Sequence, residues 1–288
     1  MNSPLQKINS QIFKDNNLNV YIKRDDLIHP FISGNKWRKS HYLLKNILED
    51  NHKTALTFGG AYSNHLHAFS YACNNLGLNS IGIIRGEELS NKPLNRTLQF
   101  AVDNNMQLIF VSREEYKRRY EENYCQELAI KHNAYIVPEG GTTKFVVDGF
   151  ADMVGEVRSI IGESNYFVPC GSGGTIAGIN SNLNLNELVY GINVVKGNEK
   201  DLNSVIKDIS SNNNYIILND YNFGGYAKYN DELINFIHFF EKEFSIEIES
   251  VYSAKMFFAF FDLVKKGKFK NSNFVLVHTG GLQGKRHF

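Results

Sequence analysis

Short apolar segments alternate with segments of helical length along most of this 288-residue chain, and this alternation constrains the fold more than any other feature. The apolar segments, which read as buried strands, are residues 20–22, 54–58, 80–84, 107–111, 134–137, 165–169, 188–194, 215–218 and 273–277. The intervening segments that predict helices include residues 63–75, 93–104, 112–132, 145–161, 176–183, 231–244 and 254–266. Strands that alternate with helices form parallel sheets covered on both faces. The pattern therefore predicts an α/β fold with open, parallel-rich sheets and helices on both faces.

The composition indicates an ordinary folded protein of one large or two modest domains, with 42% hydrophobic and 21% charged residues. A formal net charge of +1 argues against nucleic acid as the main partner. We find no apolar run near the roughly 18 residues of a membrane span, and residues 1–17 lack the apolar core of a secretion signal. Three widely spaced cysteines read as reduced thiols of a cytoplasmic protein, and no His or Cys spacing suggests a metal site.

Lys36 stands where a charged turn becomes an amphipathic helix, so rigid structure would hold its long amine side chain. Arg38 and Lys39 follow within one helical turn. A lysine amine becomes a nucleophile when burial or neighbouring cations lower its pKa. A lysine at a helix start is also a common solvated residue, so the neighbours of Lys36 do not decide its role.

A glycine-rich turn, Gly171-Ser172-Gly173-Gly174-Thr175, follows a buried strand and precedes a helix. Such a turn aims backbone N–H groups and the positive end of the helix at one point, which suits a phosphate. It is not a Walker A loop, because no Lys-Ser/Thr pair follows at the required spacing, and Ile176 breaks the GxGxxG pattern. The structural alternative is a tight turn between a strand and a helix.

Three further segments contain residues that could contact an amino-acid substrate. Residues 59–65 link a strand to a helix whose N–H groups, with the Ser63 hydroxyl, could hold a carboxylate, although ordinary helix capping explains them too. Thr279 follows the last strand, at the sheet edge where ligands of open α/β sheets bind. Tyr226 and Tyr252 are loop or helix-start aromatics that could equally be packing residues. An amine, a phosphate cradle, a carboxylate site and a hydroxyl are together what pyridoxal phosphate with an amino-acid substrate needs.

Five motifs occur in the order found in fold-type II pyridoxal-phosphate enzymes: KRDDL at 23–27, SGNKWRK at 33–39, GGAYSNH at 59–65, GSGGT at 171–175 and HTGG at 278–281. Over nearly its whole length the chain resembles the 1-aminocyclopropane-1-carboxylate deaminase/D-cysteine desulfhydrase family. The resemblance implies a two-domain, tryptophan synthase beta-like architecture. A large cofactor-binding domain would comprise residues 1–40 plus 141–288, and a small inserted α/β domain residues 41–140. It also implies a homodimer.

The resemblance implies a role for each matching residue. Lys36 matches the lysine that binds the cofactor covalently, and Lys39 matches a lysine that supports the phosphate. Gly171, Ser172, Gly173, Gly174 and Thr175 match the phosphate loop. Asn64 matches the asparagine beside the 3′-oxygen of the cofactor, and Thr279 the residue near its pyridine nitrogen.

The substrate side is assigned in the same way. Ser63, Asn64 and His65 match the segment that holds the substrate carboxylate. Tyr252 and, less closely, Tyr226 match active-site tyrosines, and Ser253 follows the first of them.

Three positions resemble the desulfhydrase branch of the family. Similar deaminases have Glu, Leu and Gln where this chain has Ser253, Thr279 and His65. A carboxylate facing the pyridine nitrogen strengthens the electron sink, which opening a cyclopropane demands. A neutral hydroxyl suffices for expelling a thiolate. These residues favour a lyase that converts D-cysteine to pyruvate, ammonia and sulfide, with Lys36 or Tyr252 as the base.

Other functions stay open at the level of sequence. The closest is the hydrolase 1-aminocyclopropane-1-carboxylate deaminase, and a racemase or another β-eliminating enzyme is also compatible with this scaffold. Departures from the family pattern at Tyr62, Leu66 and His67 keep a non-catalytic cofactor-binding protein open as well.

Overall fold

The structure of the chain, a computed structural model, describes residues 1–32 and 34–285. Ser33, the first residue of the SGNKWRK motif, lies outside the described residues. The chain divides into two compact units, which are described separately. The described residues of the first unit are 1–28, 34–35 and 147–285, and those of the second are 29–32 and 36–146.

The first unit is built on a six-stranded sheet with the strand order β1-β2-β10-β7-β8-β9. Its strands are β1 (Leu5–Ile8), β2 (Leu18–Lys23), β7 (Asn165–Cys170), β8 (Val189–Asn193), β9 (Tyr215–Leu218) and β10 (Ser272–Val277). Only β1 runs antiparallel to its neighbour. The helices of this unit are α1 (Gln11–Asp15), α7 (Val146–Ile161), α8 (Gly174–Asn180), α9 (Glu199–Ile209), α10 (Asp231–Phe244) and α11 (Ser253–Lys265).

The second unit is built on a four-stranded, fully parallel sheet with the order β5-β4-β3-β6. Its strands are β3 (Thr54–Gly59), β4 (Asn79–Arg85), β5 (Met106–Val111) and β6 (Tyr135–Val137). Its helices are α2 (Asn35–Glu49), α3 (Asn64–Asn75), α4 (Arg96–Asp103), α5 (Arg113–Lys117) and α6 (Glu122–His132). Both sheets confirm the predicted parallel-rich α/β fold.

Both sheets are buried on both faces, as the continuous apolar runs of their strands require. In β10, consecutive residues Phe274 to Val277 point to alternate faces, and all are essentially inaccessible. In β3, Ala55 belongs to one hydrophobic cluster, whereas Leu56 and Phe58 belong to another. Helices therefore cover each sheet from two sides.

Two features differ from the sequence pattern. The segment 112–132, predicted as one helix, contains α5, a 3-10 turn at Arg118–Tyr120 and α6. The helix breaks because the Arg119 guanidinium donates to the Tyr116 carbonyl, while Glu121 is extended. β1 and α1 lay outside the predicted elements, because LQKI has no clear alternation and depends on pairing with β2.

The predicted division into residues 1–40 plus 141–288 and residues 41–140 stays a prediction about domains. The boundaries between the two compact units fall near residues 36 and 146. Residues 36–40 belong to the second unit because they are part of the continuous helix α2, and residues 141–146 also pack with that unit. None of the helices in the described ranges has the length and apolar composition that crossing a bilayer requires.

The packing of β8 gives a test of the first unit. A Cβ atom at Gly191 would lie 2.6 Å from Cδ1 of Ile176 and 2.7 Å from Sγ of Cys170. We expect Gly191→Ala to lower the free energy of unfolding by about 1–3 kcal/mol, because overpacking forces side chains out of their rotamers. Gly155, in α7, has nothing within 4 Å of the equivalent atom. Gly155→Ala should instead raise the stability by up to about 1 kcal/mol. Urea denaturation of both variants checks this, and equal stabilities would contradict the described packing.

Candidate active site

The residues just before Lys36 are fixed to the start of α8 and to the segment after β10, both in the first unit. The Asn35 side chain donates to Oγ1 of Thr175 at 2.9 Å, and its backbone N–H donates to the Thr279 carbonyl at 3.3 Å. Gly34 has φ +66°, and a Cβ atom there would lie 1.8 Å from the Thr279 oxygen. Only glycine can make so close an approach. The start of α2 is thus anchored where β7 leads into α8 and where β10 ends.

The glycine-rich turn after β7 has no room for side chains at two of its positions. Gly173 has φ +86°, and its Cβ would lie 3.0 Å from Cδ1 of Leu202. The Cβ of Gly171 would lie 3.1 Å from the ring of Tyr252. The backbone alone therefore forms these parts of the turn, as in the backbone cradles that bind anions.

The two tyrosines singled out by sequence lie together in the first unit. The rings of Tyr226 and Tyr252 meet edge to face, with centroids 5.8 Å apart. Tyr252 also lies against Gly171, so it joins the glycine-rich turn to Tyr226. The Tyr226 side chain is 51% exposed. A phenol at this place can meet a ligand held by the turn.

Tyr252 is held by a buried cap at the start of α11. The carboxylate of Glu249 accepts the backbone N–H groups of Val251, Tyr252 and Ser253 at 2.6–3.2 Å. The Ser253 side chain is fully buried, and its hydroxyl accepts the N–H of Glu249 at 2.9 Å. Burial raises the pKa of Glu249, while these hydrogen bonds lower it. A substrate contact of Ser253 stays a prediction.

Lys36 has a lowered pKa, which raises the fraction of its neutral, nucleophilic form. Its side chain is half-buried, and desolvation lowers the pKa of the amine to about 8, although Glu139 attracts the charged form. Lys39, one helical turn later, lies with its Nζ 3.5 Å from the Gly140 carbonyl and 3.3 Å from Oγ1 of Thr142. At a pKa of about 8, Lys36 exchanges its proton close to neutral pH.

The ring of His65 is neutral and is already hydrogen-bonded to Thr57. Its Nε2 lies 2.8 Å from the hydroxyl of Thr57, whose own proton goes to the Val137 carbonyl. Nε2 must therefore donate to Thr57. Burial, and then the charges of Lys36 and Lys39, hold the pKa of His65 well below its usual value. The backbone N–H of His65, not a charged ring, is what can attract a carboxylate.

The start of α3 has the chemistry of an anion site. Ser63 caps the helix by accepting the Leu66 N–H at 3.3 Å, which leaves its hydroxyl proton to be donated. Asn64 is the first helical residue and is half-buried. No acidic residue occupies the first turn, so its N–H groups and dipole favour a carboxylate.

Sequence reasoning missed three residues that hold these groups. Asn35 lies inside the SGNKWRK motif, so the motif itself was a signal. Glu139, the carboxylate that acts on Lys36, accepts bonds from Tyr116 and Arg119 at 2.8 and 2.7 Å, and it lies in the PEGG turn. Thr57 belongs to none of the motifs, and only its contact with His65 shows that it is part of the site. Across the described residues there is no group of His, Cys, Asp or Glu side chains that could hold a metal ion.

The fold and these side chains are those of an α/β enzyme with a phosphorylated cofactor. The second unit carries a buried-amine lysine with a lowered pKa, and the first unit carries a glycine-rich turn between a parallel strand and a helix. A sequence model of the pyridoxal-phosphate dependent enzyme family matches residues 1–280. The chain belongs to this family, and its cofactor is pyridoxal phosphate.

Two relatives narrow the family. The chain is 30% identical over 303 residues to a Pyrococcus horikoshii protein named "Putative 1-aminocyclopropane-1-carboxylate deaminase", covering 99% of this chain and 91% of that protein. It is 29% identical to the Arabidopsis thaliana "Bifunctional D-cysteine desulfhydrase/1-aminocyclopropane-1-carboxylate deaminase, mitochondrial", covering 93% of this chain and 74% of that protein. A crystal structure described as an ACC deaminase homologue superposes with a TM-score of 0.82 at 30% identity, covering 99% and 90% of the two chains. The chain is therefore an enzyme of the deaminase/desulfhydrase group.

The lowered pKa of Lys36 predicts a pH-dependent stability. In the unfolded chain the amine keeps its proton up to pH 10.5, whereas in the folded protein it loses it near pH 8. Below pH 8 both states are charged, and burying the charge costs stability; above it the unfolded chain binds more protons, so stability rises with pH. From pH 8 to 10.5, cofactor-free wild type should gain about 1–3 kcal/mol relative to Lys36→Met. Urea denaturation at several pH values measures the difference, and a constant difference would contradict the assigned pKa.

Proposed function

We propose that this enzyme is a lyase that eliminates sulfide from D-cysteine. The observation that carries the proposal is that the residues expected near the pyridine nitrogen and next to Tyr252 carry no charge. The following residue, Ser253, presents no carboxylate, and Thr279 is also neutral. The nearby carboxylate, that of Glu249, accepts three backbone N–H groups. A neutral partner of the pyridine nitrogen weakens the electron sink, which favours a substrate with a good leaving group.

The side chains and the turn fit the cofactor that the family requires. Lys36, with an amine that loses its proton near pH 8, would hold pyridoxal phosphate covalently. Gly171–Thr175 would bind the phosphate through backbone N–H groups, with Lys39 in support. Asn64 would meet the ring oxygen, and Thr279 the ring nitrogen. When bound, pyridoxal phosphate supplies an electron sink for negative charge on the carbon next to the substrate amine.

The chain's own groups supply orientation and proton transfer. The Ser63 hydroxyl and the N–H groups at the start of α3, including that of His65, would bind the substrate carboxylate and so fix the Cα–H bond for removal. Lys36 in its neutral form, or Tyr252 as its phenolate, would take the α-proton. The sulfur then leaves as a thiolate. The overall reaction converts D-cysteine and water into pyruvate, ammonia and hydrogen sulfide.

A second function, 1-aminocyclopropane-1-carboxylate deaminase, is favoured by the names of the relatives. The Pyrococcus horikoshii protein carries that name, and the plant relative carries both activities in its name. Ring opening would use the same lysine and tyrosines but a stronger electron sink. A cytoplasmic location and a homodimer stay predictions from the sequence and the resemblance.

A panel of four substrates tests the proposal. Purified protein loaded with pyridoxal phosphate is given D-cysteine, L-cysteine, D-serine or 1-aminocyclopropane-1-carboxylate, and pyruvate and sulfide are measured in parallel. We expect the highest kcat/KM with D-cysteine, with sulfide and pyruvate formed in equal amounts, because thiolate is the best leaving group and the ring nitrogen would face the Thr279 hydroxyl.

The same panel contains the outcomes that would contradict the proposal. Pyruvate from the cyclopropane substrate alone would replace the lyase by the deaminase. Inversion of D-serine without pyruvate would indicate a racemase. Loaded protein that left all four amino acids unchanged would favour a non-catalytic role or another substrate.

A further inference from the structure

The loop that carries Tyr226 contains two backbone positions in a conformation that residues with side chains disfavour. Phe223 and Ala227 both have left-handed φ values, 53° and 56°, although neither is glycine. Residues with side chains rarely adopt this conformation, and it persists only where the surroundings enforce it. Contacts from outside the loop therefore add to the turns that the loop closes within itself.

Lys255, in α11, supplies the strongest external contact. Its side chain is fully buried, and its Nζ donates to the carbonyls of Asn222 and Gly225, both at 2.8 Å. Each carbonyl also closes a turn of the loop, accepting the N–H of Gly225 and of Lys228 respectively. One ammonium group thus binds two consecutive turns. Gly225 ends the first turn and begins the second, and Tyr226 is the next residue.

The same face of α11 holds the loop at two more places. Asp262 accepts the Tyr221 hydroxyl at 2.7 Å, and Phe258 meets Phe223 edge to face at 5.1 Å. Residues 255, 258 and 262 are spaced as one helical stripe. Since α11 also begins directly after Tyr252, a single helix orients both tyrosines.

The charge of Lys255 is compatible with this contact. Burial lowers the pKa of its amine to about 8, and the carboxylate of Glu249 raises it. The group is therefore mostly protonated at neutral pH. A buried ammonium is tolerated only where acceptors replace water, and the two carbonyls do so.

We propose that Lys255 is a positioning residue that fixes Tyr226 against Tyr252 by binding the two turns of the loop. The proposal rests on the proposed function only in assigning the tyrosines to the active site. Removing the ammonium should loosen residues 219–228 and move Tyr226 without unfolding the sheet, because Met can fill most of the space of the lysine stem.

Hydrogen exchange followed by mass spectrometry tests the structural half on cofactor-loaded protein without substrate. Lys255→Met should accelerate exchange in residues 219–228 at least tenfold and leave the six-stranded sheet unchanged. Lys255→Gln, which retains N–H donors, should lie between the two. Lys265→Met, the same change at an exposed position of α11, should match wild type. Unchanged exchange in both Lys255 variants would overturn the proposal.

A double-mutant cycle tests the functional half. Lys255→Met should lower kcat at least tenfold in wild type and have little further effect in a Tyr226→Phe background, because the lysine acts through that phenol. Equal losses in both backgrounds would overturn positioning through Tyr226. If wild type turned over none of the four amino acids, the proposed function would fail, while the exchange comparison would still decide whether Lys255 holds the loop.

Discussion

The attachment of Asn35 to the start of α8 and to the segment after β10 is the contact on which the candidate active site depends. A side-chain bond to Thr175 and a backbone bond to Thr279 fix the residue that immediately precedes Lys36 in the chain. Gly34 makes the attachment sterically possible, because no side chain fits against the Thr279 carbonyl. Asn35 is thereby tied to the edge of the six-stranded sheet that carries the glycine-rich turn.

Buried charge is used repeatedly in this protein, and each instance orients a neighbouring group. Glu249 caps α11 and holds Tyr252, and Lys255 binds the loop of Tyr226. Each charge is expensive to desolvate and is accepted only with close polar partners. Such groups stabilise the fold little, but they fix geometry strongly. This pattern is typical of a site in which a few side chains must keep their positions around a cofactor.

The sequence predicted the sheets and the motif residues but not the contacts that hold them. Apolar runs such as β7 and β10 were evident because strands buried on both faces carry apolar residues at every position. β1 was not predicted because its pairing with β2 decides it. The break between α5 and α6 was not predicted because it depends on a side-chain bond from Arg119 to the Tyr116 carbonyl, which leaves no residue pattern. His65 was assigned to the substrate, yet only the folded structure shows that its ring is bonded to Thr57 and that burial lowers its pKa. Lys255 and Glu249 belong to none of the motifs, so only their burial and hydrogen bonds in the structure identify them.

The central claim is that Lys36 binds the cofactor, and covalent trapping tests it most directly. Protein loaded with pyridoxal phosphate is reduced with borohydride, digested and sequenced by mass spectrometry. The cofactor mass should reside on the peptide that contains Lys36, disappear in Lys36→Ala, and persist in Lys45→Ala, an exposed lysine of the same helix. Cofactor mass on another lysine in wild-type protein, or unchanged trapping in Lys36→Ala, would contradict the account.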